Sequence, residues 1–294
     1  MLIQKAFFSY GRIALNSIIN DIKKKNKKEK LTAYLPRYIC SDVYLKFLEN
    51  DIDIIYYELN NKLNALIDEN DFAKIDIYYH VNFFGYVPLI HKNRFEKKYL
   101  IEDESQTIKL SDDTQLINQN HYIFSSLRKS ICIKNTTIVY STNIRNKMKM
   151  SLDISFFVKK TLKKIIPQNV ISIISKNNEN NFKFHPENKI NYISYQIYKK
   201  INKKKILEKR KFYIQIIKKK LLQKNIDLIF NELNDKYIPS AIPVIIDEIN
   251  INSLNFISKY GLAYSRWAVD FPDNKGYLPN HLYKRICLIY LFKC

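Results

Sequence analysis

Glycine is the scarcest small residue of this chain, at four positions in 294: 11, 85, 261 and 276. Soluble proteins carry roughly 7% glycine, so each survivor marks a place where a turn or a close backbone approach needs explaining. Cysteine is equally sparse. Cys40, Cys132, Cys287 and Cys294 form no Cys-x-x-Cys pair and have no histidine cluster beside them. That argues against a zinc centre and a disulfide framework, and it suits a reducing cytoplasm. No apolar run approaches the ~20 residues that span a bilayer. Lys5 and Arg12 interrupt the first apolar stretch, which speaks against a cleaved signal peptide. The expectation is a soluble, cytoplasmic protein.

Acidic residues are also in short supply, 28 Asp+Glu against 49 Lys+Arg, for a formal charge of +21. Hydrophobic residues make up 46% and aromatics 14%, which excludes a disordered chain despite that charge. Forty-one of the basic residues are lysine, and the chain is also crowded with Asn and Ile, the joint skew that AT-rich coding produces. The excess is uneven: net +6 over residues 1–150 and net +15 over 151–294, with twelve basic side chains and one acid, Glu208, in Lys199–Lys224. That segment reads first as a solvated helix face and second as a contact for an anionic surface.

Leu15, Ile18, Ile19 and Ile22 recur at helical spacing, so 11–28 reads as a helix. An extended piece follows at 30–34, then a helix over 41–49. Residues 53–59 and 75–84 read as strands, and 99–101, 122–125 and 136–141 as further short apolar runs. Strands alternating with helices at this pitch suggest a mostly parallel, three-layer α/β sheet. Beyond residue 150 the pattern changes: an amphipathic run at 154–166, an Asn-rich stretch at 168–189, and a long basic helical stretch over 190–223, broken once. A strand at 242–246, a helix over 253–260 closed by Gly261, and an apolar run at 286–292 follow. The expected division is a large domain over 1–150, a connecting region over 151–190 and a smaller α+β domain over 191–294.

Ligands of open α/β sheets bind at the carboxyl ends of the strands. Four segments place polar groups there. Ser9-Tyr10-Gly11-Arg12 opens the first helix, where backbone N–H groups favour an anion. Glu102-Asp103-Glu104 ends an apolar run, and a carboxylate there can keep a ring nitrogen protonated; an acid-rich helix start reads the same way. Ser125-Ser126-Leu127-Arg128-Lys129-Ser130 follows a strand with hydroxyls and a lysine, a residue able to form a Schiff base. His80 and Gly85 end the strongest strand, and a lone histidine there is more often structural than catalytic.

In order along the chain, YGRIAL at 10–15, LPRYICSDV at 35–43, DIIYYEL at 53–59, HVNFFGY at 80–86, LIEDESQ at 100–106 and SSLRKS at 125–130 resemble the DegT-type sugar aminotransferases, which are PLP-dependent enzymes of fold type I. IPSAIPVII and YGLAYSRW resemble that family's small domain. The resemblance implies a PLP-binding large domain, a homodimer, and a small-molecule sugar substrate with an amino donor, glutamate being the expected one. It assigns Lys129 as the Schiff-base lysine and Asp103 as partner of the pyridinium nitrogen. Gln106 falls near the ring hydroxyl, and Gly11, Arg12, Ser125 and Ser126 at the phosphate. Tyr38 would cover the ring face, with His80 lining the site from the next strand. The implied reaction is amino transfer to a nucleotide-linked keto sugar in polysaccharide or related biosynthesis, without metal.

Two features depart from the family pattern. No glycine turn follows Lys129, and Glu104 stands where small residues are usual. They define a second reading, a catalytically inactive relic of the fold serving as a scaffold or binding protein. A third, nucleic-acid or anionic-membrane binding through Lys199–Lys224, ranks below both.

Overall fold

The computed structural model describes residues 2–86, 92–109, 115–131, 133, 136–144, 149–151, 189–230, 237–266 and 286–291. Its principal feature is an eight-stranded sheet. In chain order the strands are β1 (Gln4–Phe8), β2 (Leu31–Pro36), β3 (Ile52–Leu59), β4 (Ala65–Leu66), β5 (Ile77–Val81), β6 (Tyr99–Asp103), β8 (His121–Ser126) and β9 (Thr137–Ser141). Their spatial order is β1-β9-β8-β6-β5-β2-β3-β4. The central pairs β3–β2–β5–β6–β8 are parallel, whereas β9 runs antiparallel to both β8 and β1. Every residue of β5 and β8 is buried. That is the signature of strands covered on both faces, and it is why they read as unbroken apolar runs.

One face is covered by α1 (Gly11–Lys25) and α2 (Ser41–Leu48). Helix α1 buries Ala14, Leu15, Ile18, Ile19 and Ile22, an apolar stripe at helical spacing, and ends in three lysines that complement its dipole. Its last turn is also pinned to the sheet: the Tyr122 hydroxyl donates to Asp21 at 2.7 Å, and Lys25 donates to that same hydroxyl at 2.7 Å. On the other face Tyr34, Tyr57 and Tyr78 pack together, with Phe72 of α3 (Glu69–Lys74) and Phe95 against Tyr78. The Asp68 side chain caps α3 by accepting from the N–H groups of Asn70 and Asp71.

A second sheet is antiparallel throughout, with β12 (Asp227–Leu228), β14 (Ala241–Ile245), β16 (Ile286–Tyr290) and β15 (Ala263–Arg266) in the order β12-β14-β16-β15. Ile214, Ile217 and Leu221 of the long helix Lys203–Gln223 pack with Val244, Cys287 and Ile289 of this sheet. The same core takes Leu254 and Ile257 from the 3-10 segment Glu248–Tyr260. This segment replaces the helix expected at 253–260, and Gly261 closes it in the left-handed region at φ 68°.

The basic stretch is two helices, α5 (Tyr192–Lys200) and α6 (Lys203–Gln223), with the break at residues 201–202. Asn191 and Asn202 supply the caps, accepting from the N–H groups of Ser194 and Lys205. A short helix, α4 (Leu127–Ile131), follows β8 directly. A parallel pair, β10 (Lys149–Ser151) with β11 (Lys189–Asn191), flanks the region expected to hold the 154–166 helix and the Asn-rich stretch, most of which lies outside the described residues.

The two sheets are tied by a small antiparallel pair, β7 (Thr107–Lys109) with β13 (Tyr237–Pro239). Gly85 is explained at this junction. Its φ is +88°, and a Cβ there would stand 2.8 Å from Thr107 Oγ1 and 3.0 Å from the Pro239 Cα. Gly11 is different: a Cβ would meet only the edge of Phe124 at 3.8 Å, an ordinary contact.

Candidate functional site

The carboxyl ends of the parallel strands gather the segments singled out in the sequence. Register decides which side chains share a face. Val81, Asp103 and Phe124 are paired across β5, β6 and β8, so all three lie on the α1 side of the sheet. Phe124 reaches Gly11 at the start of α1 and packs at a tilt on Tyr79, 6.4 Å between centroids. Gly11 and Asp103 therefore flank one aromatic ring at one edge. Ser126, two residues beyond Phe124, falls on the same face.

Asp103 is 7% exposed and fully engaged on its protein side. The Ser105 N–H donates to Oδ1 at 2.7 Å and the Tyr79 hydroxyl donates to Oδ2 at 2.7 Å. Burial first, and then the Asp103 charge, push the Tyr79 phenol well above its ordinary range, so it remains a proton donor. Two donors on a carboxylate hold its orientation. Tyr79 was not among the expected site residues. Period-2 alternation from Val81 puts it on the Asp103 face, and only the strand order puts it within reach.

The turn after Asp103 is built by its neighbours. Glu104 O accepts from the Thr107 N–H at 3.1 Å. The Ser125 hydroxyl, on the opposite face from Ser126, donates to Glu104 O at 3.3 Å and Thr107 O at 3.1 Å. Gln106 Oε1 accepts from the Phe84 N–H at 3.0 Å, fixing the loop after β5. Tyr38, just after β2, is buried and stacked on Phe83 at 6.3 Å. Arg12 lies over the Tyr10 ring, 5.5 Å from its centroid. Lys129 is on the solvent side of α4 and exposed.

Glu104, the residue that departs from the family pattern, is 2% exposed. Its Oε1 lies 3.0 Å from Lys109 Nζ and accepts from the Tyr237 hydroxyl at 3.2 Å. Burial pushes its carboxyl up to about 7, against the pull of Lys109. The side chain is thus committed to the β7–β13 junction.

His80 occupies the other face. It pairs in register with Glu102, one position before Val81 and Asp103, and therefore points away from the Asp103 side. Neither ring nitrogen has a hydrogen-bond partner among the described residues, and burial pushes the imidazole down to about 4. Glu102 instead faces His121, Oε1 to Nε2 at 3.3 Å, while His121 Nδ1 accepts from the Ile117 N–H at 3.1 Å, which leaves the proton on Nε2. Burial opposes the Glu102 charge, but the bond to His121, with His121, His80 and Lys109 nearby, brings its carboxyl down to about 2. No group of three or more His, Cys, Asp or Glu among the described residues is arranged to hold a metal ion.

These shifts have a measurable consequence. A buried imidazole near 4 against an unfolded value near 6.5 means that the unfolded chain takes up the proton first, so the His80 contribution is lost as pH falls from about 6.5 to 4. Glu104 acts with the opposite sign, gaining as pH falls from about 7 to 4.5. Wild-type stability should therefore change little across this range. His80→Gln should unmask the Glu104 dependence, the difference between the two unfolding free energies shifting by about 3 kcal/mol between neutral pH and pH 4. Urea titrations at several pH values test this, and parallel curves for the two proteins would disprove it.

No protein-family model and no curated protein sequence matches this chain. Solved structures do. PseC of Helicobacter pylori, an aminotransferase involved in the biosynthesis of pseudoaminic acid, is similar at a TM-score of 0.61 and 11% identity, over 98% of this chain and 81% of that one. A DegT DnrJ EryC1 StrS aminotransferase from Brucella abortus gives 0.59 and 11%, over 98% and 81%. A sugar aminotransferase from Micromonospora echinospora gives 0.56 and 12%, over 98% and 82%. With β9 running antiparallel beside β8, at the edge of the parallel block, and a second antiparallel sheet, the chain has the fold of the type I PLP-dependent aminotransferases.

Proposed function

We propose that the protein is a PLP-dependent aminotransferase that moves an amino group onto a keto sugar. The observation that carries this is Asp103: a buried carboxylate at the carboxyl end of β6, held by two donors and sharing its face with the start of α1 and with Ser126. The donor set fits PLP. Asp103 would hold the proton on the ring nitrogen, and the amino end of α1 with Ser126 would take the phosphate. The exposed Lys129 amine is open to an aldehyde. Bound there, PLP supplies an electron sink for carbon–hydrogen bond cleavage.

The chain's own residues do the rest. Asp103 keeps its place because Tyr79 and the Ser105 N–H restrain both oxygens. Ser125 and Gln106 fix the loops on either side of it. Lys129 Nζ is the group that would carry a proton between the two carbons of the transfer. The sugar class, nucleotide-linked and destined for polysaccharide or related biosynthesis, is supported by the motif order and by the sugar aminotransferases among the fold neighbours. A homodimer in the cytoplasm accords with the same resemblance.

Incubation with PLP, borohydride reduction and peptide mapping provide the test. The reading expects the stable adduct on Lys129. An adduct spread over several surface lysines, or none, would sink it.

A further inference from the structure

We propose that the solvent face of α6 is a docking surface for an anionic phospholipid bilayer. The inference is independent of the PLP reading and rests on how this helix distributes its residues. At about 100° per residue, Leu207, Arg210, Ile214, Ile217 and Leu221 gather on one side, and all five are buried. Phe212 lies nine residues before Leu221, about half a turn round the axis, at the centre of the opposite side, and it is 59% exposed. Leu222 flanks that face and is 61% exposed.

Around Phe212 stand Lys205, Lys209, Lys219 and Lys220, each within about 80° of it on the helical wheel; all but Lys209 and Lys220 lie within about 20°, and all four are exposed. Glu208, the only acid in the helix, is exposed on the same face about 40° from Phe212, so the face carries four lysines against one carboxylate. Scattered single apolar residues on a surface are ordinary. An aromatic at the middle of an exposed and predominantly basic face, with an aliphatic residue on its flank, is the pattern of a helix that lies in the plane of a lipid interface. The lysines meet anionic headgroups while the ring and the Leu222 side chain enter the acyl boundary.

Nucleic acid suits this face less well. Base and phosphate recognition favours the planar fork of arginine and several stacking rings. The one arginine of α6, Arg210, is buried and donates to Pro239 O and Ser130 O. Phe212 is the one large aromatic that the helix exposes, and its neighbour Tyr213 packs at its edge, 6.0 Å between centroids. Among the described residues no helix is long and apolar enough to cross a membrane, so the contact would be peripheral.

The test is co-sedimentation of the full chain with phosphatidylcholine vesicles, with and without phosphatidylglycerol, beside a duplex DNA control at the same ionic strength. The proposal expects binding to the anionic vesicles at least about tenfold stronger than to the neutral ones, weakened by added salt. Phe212→Ser should reduce it several-fold. The combined Lys205→Glu, Lys209→Glu, Lys219→Glu and Lys220→Glu variant should reduce it more than about tenfold. If that variant does not fold by circular dichroism, Phe212→Ser alone decides. Equal binding to both vesicle types, binding indifferent to Phe212→Ser, or tighter binding to the duplex would each overturn the proposal, the last assigning the face to nucleic acid.

Discussion

Under the proposed function, Lys129→Ala should abolish amino transfer, a loss of at least about a thousandfold, together with the borohydride-stable adduct, while leaving the protein as stable as before. The second half of this expectation comes from the structure. Lys129 is exposed on α4, and its removal empties no core position. Substitutions at such sites stay within about 0.5 kcal/mol. A variant that loses the adduct but keeps its urea midpoint identifies the lysine as chemical rather than structural. If the adduct survives, the acceptor is another lysine and the family assignment of Lys129 is wrong. Lys109 is the informative comparison. It sits close to the same loop but is half-buried and committed to Glu104 at 3.0 Å, so Lys109→Met should disturb the β7–β13 junction without removing the adduct.

Arg210→Leu should produce the largest stability loss of any single change on α6. The guanidinium is 3% exposed, donates to Pro239 O at 2.7 Å, and also donates to Ser130 O. Burial brings its pKa down to about 10, which leaves it cationic at neutral pH. Its two acceptors belong to β13 and to the residue after Lys129, so one side chain ties α6 to both. Removal strands two buried carbonyls at about 1–3 kcal/mol each, partly offset by relief of a buried charge, for a net loss of about 3 kcal/mol. A urea midpoint lower by about 1 M would report it. Arg210→Lys should recover only part, because an ammonium does not reproduce the two-pronged geometry. A shift equivalent to less than about 1 kcal/mol would mean that the two carbonyls are satisfied by other means. The same variant should loosen α4, since the Ser130 hydroxyl also donates to Thr107 O at 3.1 Å, and the yield of adduct at Lys129 should fall with it.

How much of this was legible varies with the element. Helix α1 announced itself because five buried apolar residues repeat at its period. Strands β5 and β8 were legible as apolar runs because both faces are covered. Strand β1 was not expected: QKAFF is short, carries a lysine, and owes its place to pairing with β9, which lies more than a hundred residues away. The three-residue strands β7 and β13 left no pattern for the same reason. One break was expected somewhere in 190–223; the structure puts it at 201–202 and supplies the cap in Asn202.

The order of motifs, and with it the carboxyl edge at which the strands carrying Asp103 and Ser126 end, was determined by the sequence alone, because local periodicity and chain order suffice to place strand ends on one edge of a parallel sheet. What only the tertiary structure decided is what those residues touch. His80 and Asp103 both come from strand ends, yet the register turns them to opposite faces. Glu104, which from sequence counted against a cofactor site, is paired with Lys109 and accepts a hydrogen bond from Tyr237, a residue 133 positions further along. Tyr79 reaches Asp103 across one strand spacing, and Arg210 reaches Ser130 over 80 residues. Such pairings depend on register and on which helix lies over which strand, and a side chain carries no local trace of a partner that the fold alone brings within 3 Å.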